Sequence, residues 1–243
     1  MFKSITGFLL SLKTAFILFS IFTVILFIGS LSLPNNLAFF SGIDDMPLFK
    51  WLISSGNISI TWWIYLMICM LGVLAVSTIF CTADAVLRLS TKNLLLKLSP
   101  QIMHIGVLFV MLGHLLTASG GYKIDKIIKK GNIENVRGRL SIILDSVVVK
   151  TDENGYDTDW QAALILDKGG NTVKESILKP SDPIFIEDVG IYFKSVIEPE
   201  SAIQVRICKD PGAIWALLGG ALLCAGGVGF MYAKIEAQSR GQG

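Results

Sequence analysis

Charge is scarce in this chain. Only 16% of its 243 residues are Asp, Glu, Lys or Arg, whereas 52% are hydrophobic. A soluble domain carries about a quarter charged residues, and here the apolar residues are bunched into long runs, the pattern expected where lipid is the solvent. A formal net charge of +2 leaves no electrostatic footprint for nucleic acid. Cysteine is equally sparse. Cys69, Cys81, Cys208 and Cys224 form no C-x-x-C pair and no zinc-like spacing, which argues against a thiol carrier. Three of them lie inside apolar runs, where free cysteine is a small packing residue. Cys69 and Cys81 would stand about 18 Å apart along one helix, too far to bridge. Only Cys208 is placed to meet a redox partner. No G-x-S-x-G, H-E-x-x-H or phosphate-binding glycine loop occurs. The stretch between the third and fourth apolar runs has no histidine, so its acidic residues lack an evident base partner.

The chain does have four apolar runs. The first extends from roughly Thr14 to Leu33, with Pro34 as its stop; about twenty residues cross a hydrocarbon core of about 30 Å. A cleaved signal peptide would be shorter and followed by an A-x-A-like site, so a retained helix is expected. The second run starts at Trp62 and Trp63, a pair suited to an aromatic belt, and ends near Thr82. The third, Ile102 to Ser119, is the shortest and holds both histidines. The fourth, Ala213 to Ala233, carries stripes of small residues at four-residue spacing, Ala216–Gly220–Cys224 and Ala221–Ala225–Gly229, of the kind that let helices approach closely in lipid. Residues 34–60 read as an interfacial outer loop. Within it Asp44 and Asp45 cap a short helix, LFKWLIS, with Pro47 in its first turn and Gly56 at its end. Phe49, Trp51 and Leu52 would lay that helix in the membrane interface. Residues 83–101 read as a polar to amphipathic cytoplasmic loop.

Residues 120–210 read as strands. RLSIILDSVVVK, QAALILD, TVKESILK, IFIEDVGIYFKSVI and SAIQVRI are short and rich in β-branched residues, with DKGGN and EDVG as turn signals. Asp152, Glu153, Asp157 and Asp159 read as a solvated loop, since calcium-loop spacing is absent. The fold class expected is a membrane α-helical protein of four transmembrane helices with an inserted extracytoplasmic all-β domain, sandwich- or barrel-like. Residues 1–119 would form the three-helix membrane region, and 211–243 the fourth helix with a cytoplasmic tail. Four spans put both termini on one side with Lys3, Lys13, Arg88, Lys92, Lys97, Lys234 and Arg240, which positive-inside bias makes cytoplasmic. Lys123, Lys126, Lys129 and Lys130 conflict with that bias, but a large domain can translocate despite its charges.

His104 and His114 are the only histidines, and both fall in the third span. An ionisable group within a bilayer is a functional candidate. Ten residues separate them by about 15 Å of rise and about 80° of rotation, so they cannot grip one metal together. Each is either a neutral imidazole bonded to a neighbouring helix or, in an apolar site, a haem axial ligand whose second axial partner comes from another subunit.

Several stretches resemble the ResB (CcsB) family of system II cytochrome c biogenesis. SLKTAFILFSIFTVILFIGS looks like that family's first span, and MHIGVLFVMLGHLL like its histidine-led helix. KDPGAIWALLGGALLCAGG resembles its last span, with an aspartate-proline-glycine opening; FCTADAVLRL is a weaker match. The order of three spans, a β-rich extracytoplasmic domain and a final span also matches. The resemblance implies a multi-pass subunit of the cell inner (cytoplasmic) membrane. It would work with a ResC/CcsA-type partner, moving haem b across the membrane and joining it to the reduced CxxCH thiols of apocytochrome c, with thiol-disulfide reductants involved indirectly. It implies a haem-iron ligand at His104, as both cofactor and metal site, and a non-catalytic subunit of a haem lyase complex. The family's tryptophan-rich haem-presenting motif belongs to the partner, and Trp62–Trp63 is not that motif. Two other readings compete: a membrane assembly or scaffold subunit with a β docking domain and no haem, and a transporter component, which would favour polar or broken spans.

Overall fold

The computed structural model describes residues 11–87, 94–136, 140–153, 157–168, 171–197 and 202–241. The chain divides into two compact units: Met1–Ile43, Pro47–Ser119 and Pro211–Gly243 make one, and Asp44–Met46 with Gly120–Asp210 the other.

The first unit is helical. Its elements are α1 (Leu12–Asn35), α2 (Leu37–Phe40), α3 (Leu48–Ser55), α4 (Ile58–Leu87), α5 (Leu94–Gly120) and α6 (Ala213–Gly241). Four of these, α1, α4, α5 and α6, are long and apolar enough to cross a membrane. Phe16, Phe19 and Phe27 on α1 are each more than 60% exposed, an arrangement that suits lipid as solvent.

Several boundaries differ from expectation. Pro34 lies inside the last turn of α1, and the helix ends one residue later, where the Asn36 N–H turns to the Leu33 carbonyl. The described parts of 83–101 are helical, because α4 runs on to Leu87 and α5 begins at Leu94 with Pro100 inside it. At 27 residues α5 exceeds the 24 of α1, so the third span is not the shortest. Apolar periodicity marks the part of a helix that meets lipid, and a helix continues past that limit wherever its backbone bonds are unopposed. Pro47, not an aspartate, occupies the N-cap position of α3, while Gly56 closes it at φ 61°, a left-handed C-cap that favours glycine. Trp51 and Leu52 are buried within the protein rather than laid in an interface. Trp51 stacks with Phe40 at a ring distance of 5.6 Å, and Phe40 in turn meets Trp63 at 6.3 Å. Of the paired tryptophans only Trp62 faces outward; the Trp63 indole packs on Gly29 of α1.

The second unit is a β-sandwich. Its strands are β1 (Tyr122–Lys129), β2 (Ile133–Val136), β3 (Leu140–Thr151), β4 (Asp157–Lys168), β5 (Asn171–Leu178), β6 (Ile184–Ile186), β7 (Val189–Ile197) and β8 (Ala202–Lys209). They form two antiparallel sheets in the orders β1-β8-β7-β6 and β2-β3-β4-β5. One apolar core joins inward residues of both, among them Ile128, Ile191 and Ile207 from the first and Leu144, Leu164 and Leu166 from the second. Strands β1 and β2 are not among the segments expected; in YKIDKIIK the alternation of apolar and charged residues breaks at Lys126 and Ile127, which hides its period. The two expected turns hold. Lys168 pairs with Asn171, closing β4–β5 across two residues that lie outside the described set. Glu187 at φ 54° makes the β6–β7 turn.

Candidate functional site

Helix α5 shows two opposite faces. Gly106 and Gly113, seven residues apart, meet Gly219 of α6 and Gly212 just before it; a Cβ placed on Gly106 would come within 2.8 Å of the Gly219 carbonyl oxygen. Ser99, seven residues earlier, meets Gly226. Three of the contacts, 212, 219 and 226, follow at seven-residue spacing. Of the anticipated stripe Ala216–Gly220–Cys224, Ala216 meets Gly113 whereas a Cβ on Gly220 would meet nothing within 4 Å; Gly229 of the other anticipated stripe meets Ser99. Two antiparallel helices at a shallow crossing angle keep one seam in register only at a seven-residue repeat. Phe109 stacks on Trp215 beside that seam, with ring centroids 5.6 Å apart.

His104 stands two residues from Gly106, about 200° around the helix, and meets α4 instead. Its ring is half-buried, and Nδ1 lies 3.4 Å from the Thr82 hydroxyl oxygen. One helical turn earlier, Gln101 is 91% buried and its side-chain carbonyl oxygen has no hydrogen-bond partner. His114 is exposed on α5. The structure thus brings His104 to Thr82 and leaves the two histidines apart. No group of three His, Cys, Asp or Glu able to hold a metal ion occurs among the described residues. Thr82 and Gln101 were not singled out as site residues; each is a polar side chain within a predominantly apolar helix, the signal that could have found them.

The four cysteines are free thiols. Cys208 lies half-buried on β8, beside Gly190 of β7 and Lys123 of β1. Burial, then the Asp210 carboxylate, pushes its thiol pKa up, so it is a poor nucleophile. Asp159 accepts a hydrogen bond from the Gln161 amide at 3.1 Å and faces Lys150 at 3.7 Å.

On the outer face of the first sheet, Asp125 and Arg206 are cross-strand partners. The guanidinium donates two hydrogen bonds of 2.7 and 2.9 Å to the carboxylate, and Lys194 adds a third at 3.4 Å. The Arg206 hydrogen bonds lead in lowering the Asp125 pKa to about 2; burial opposes them. A depressed folded-state pKa stabilises the fold above the unfolded value of about 3.9 and loses that contribution as pH falls toward 2. Asp125→Asn is therefore expected to lower stability near neutral pH by less than about 1 kcal/mol, given solvent screening at a site about a third exposed. The difference should vanish near pH 2, as checked by urea unfolding at both pH values.

No family model matches the chain. The cytochrome c biogenesis protein Ccs1 of Emiliania huxleyi is 29% identical over 139 residues, 49% of this chain. That match spans 32% of the relative's length. Among solved structures, the cytochrome c haem lyase CcmF aligns with 67% of this chain and 29% of its own, at 13% identity and a TM-score of 0.46. The resemblance to the ResB/CcsB-like family of cytochrome c biogenesis, drawn above from short stretches, is met by a curated relative: over about half its length this chain is similar to a Ccs1 protein.

Proposed function

We propose that this chain is a membrane subunit of cytochrome c biogenesis that, with a ResC/CcsA-type partner, passes haem b across the membrane and presents it for attachment to apocytochrome c. The observation that carries the reading is His104: a single half-buried imidazole in a helix long and apolar enough to span a membrane, tied to a neighbouring helix through Nδ1. A lone imidazole does not make a closed metal site, but it suffices for an iron that brings four porphyrin nitrogens with it. His104 fits haem as an iron ligand and would hold it together with a further ligand from the partner. When bound, haem supplies the vinyl groups that take the apocytochrome thiols, and the protein's part is to orient and shield. In this reading the β-sandwich is extracytoplasmic, both termini are cytoplasmic, and the bilayer is the inner membrane.

The test is the absorption spectrum of the detergent-purified complex with its partner, comparing wild type, His104→Ala and His114→Ala. The expected result is a Soret band shifted or lost only with His104→Ala. A band unchanged in both variants would remove these histidines as ligands.

One observation favours a second reading, a scaffold with a docking domain. Ile133, Ile143 and Ile165 are paired across β2, β3 and β4 on the outer face of the sandwich, and Ile133 and Ile177 are 63% and 55% exposed there. That reading predicts a fully assembled complex without haem and indifference to His104→Ala.

A further inference from the structure

We infer that Thr82 is a positioning residue for His104: its hydroxyl oxygen accepts the Nδ1 proton and thereby leaves the Nε2 lone pair for an iron ligand. This rests on the haem reading of His104.

The contact of 3.4 Å between Thr82 Oγ1 and His104 Nδ1 admits two arrangements. If the hydroxyl donates to Nδ1, the ring keeps its proton on Nε2 and has no lone pair to offer there. If Nδ1–H donates to the hydroxyl oxygen, Nε2 is free. The haem reading of His104 selects the second, because an imidazole that ligates iron through Nε2 must carry its proton on Nδ1. Metal-bound histidines generally donate their second ring N–H in this way, which fixes the ring and raises its basicity.

The experiment is haemin titration of the full-length protein in detergent, followed in the Soret region, with the midpoint potential of each haem-loaded form. Thr82→Val keeps the shape and removes the acceptor; Thr82→Ser keeps the acceptor. Thr82→Val is expected to weaken haemin binding about tenfold, the lower end for loss of a ligand-orienting partner, and to raise the potential, because a less basic imidazole donates less to ferric iron. Thr82→Ser is expected to restore both, and unchanged size-exclusion elution shows that each variant is folded. Wild-type affinity and potential in Thr82→Val would overturn the inference, as would a Thr82→Ser variant as impaired as Thr82→Val. If His104→Ala binds haemin as wild type does, the His104 reading itself falls and takes Thr82's role with it. If His104→Ala abolishes binding and Thr82→Val changes nothing, Thr82 alone falls.

Discussion

Replacing Gly219 with leucine is expected to part α5 from α6 and leave little folded protein. A Cβ at position 219 would lie 2.6 Å from the Gly106 carbonyl oxygen and 2.7 Å from the Val110 backbone nitrogen. Both are main-chain atoms of a regular helix and cannot rotate aside. In lipid no hydrophobic effect draws helices together, so close backbone approach and dispersion do that work, and both fall steeply with distance. One extra methyl, as in Gly219→Ala, should cost on the order of 1–3 kcal/mol by overpacking, and leucine more. Gly220 supplies the control: it is the next residue on the same helix, and a Cβ there meets nothing within 4 Å. Gly220→Leu should therefore unfold at the wild-type temperature while Gly219→Leu fails. Equal behaviour of the two variants in thermal unfolding of detergent-purified protein would show that the glycine seam does not hold these helices.

The seam also marks where sequence reading stopped. Four apolar helices and a β-rich insert between the third and fourth were legible from runs of apolar residues and from β-branched segments, because both signals are local. The partner face of a helix is not local. The fourth span offers small residues at four-residue spacing through Gly220 and at seven-residue spacing through Gly212, Gly219 and Gly226, and only packing against α5 selects between them. Trp63 makes the same point. Beside Trp62 it reads as one of a belt, yet one residue is about 100° of helix, enough to turn its indole onto Gly29.

The candidate site was legible by residue type and illegible by company. His104 stands out because an imidazole in an apolar helix is costly without a use. Thr82 does not, since threonines in helices ordinarily satisfy themselves on their own backbone, as Thr61 and Thr78 do here. The contact between residues 22 positions apart exists only once α4 and α5 are side by side. Strand β1 is hidden for a related reason: Lys126 shares the inward phase with the fully buried Ile128 while Ile127 faces outward, so the composition breaks the alternation although the pleat is regular.

In the β-sandwich the sensitivity to mutation should run the opposite way. Leu164→Ala is expected to cost about 3 kcal/mol, within the 2–5 kcal/mol range for emptying a buried leucine site. Leu164 is 1% exposed on β4, opposite Leu144 of β3, and its strand has neighbours on both sides, so little can collapse into the space. Urea unfolding and amide-exchange protection of β3, β4 and β5 would read the loss directly. Ile177→Ala, on the outward face of β5 and 55% exposed, should change stability by under about 0.5 kcal/mol. So should Leu217→Ala on α6, where the side chain is 69% exposed. Water makes the buried leucine the costly residue to lose in the sandwich; lipid makes the buried glycine the costly residue to enlarge in the helices. If Leu164→Ala proved as mild as Leu217→Ala, the sandwich core would not be the source of that unit's stability, and the contrast between the two solvents would fail with it.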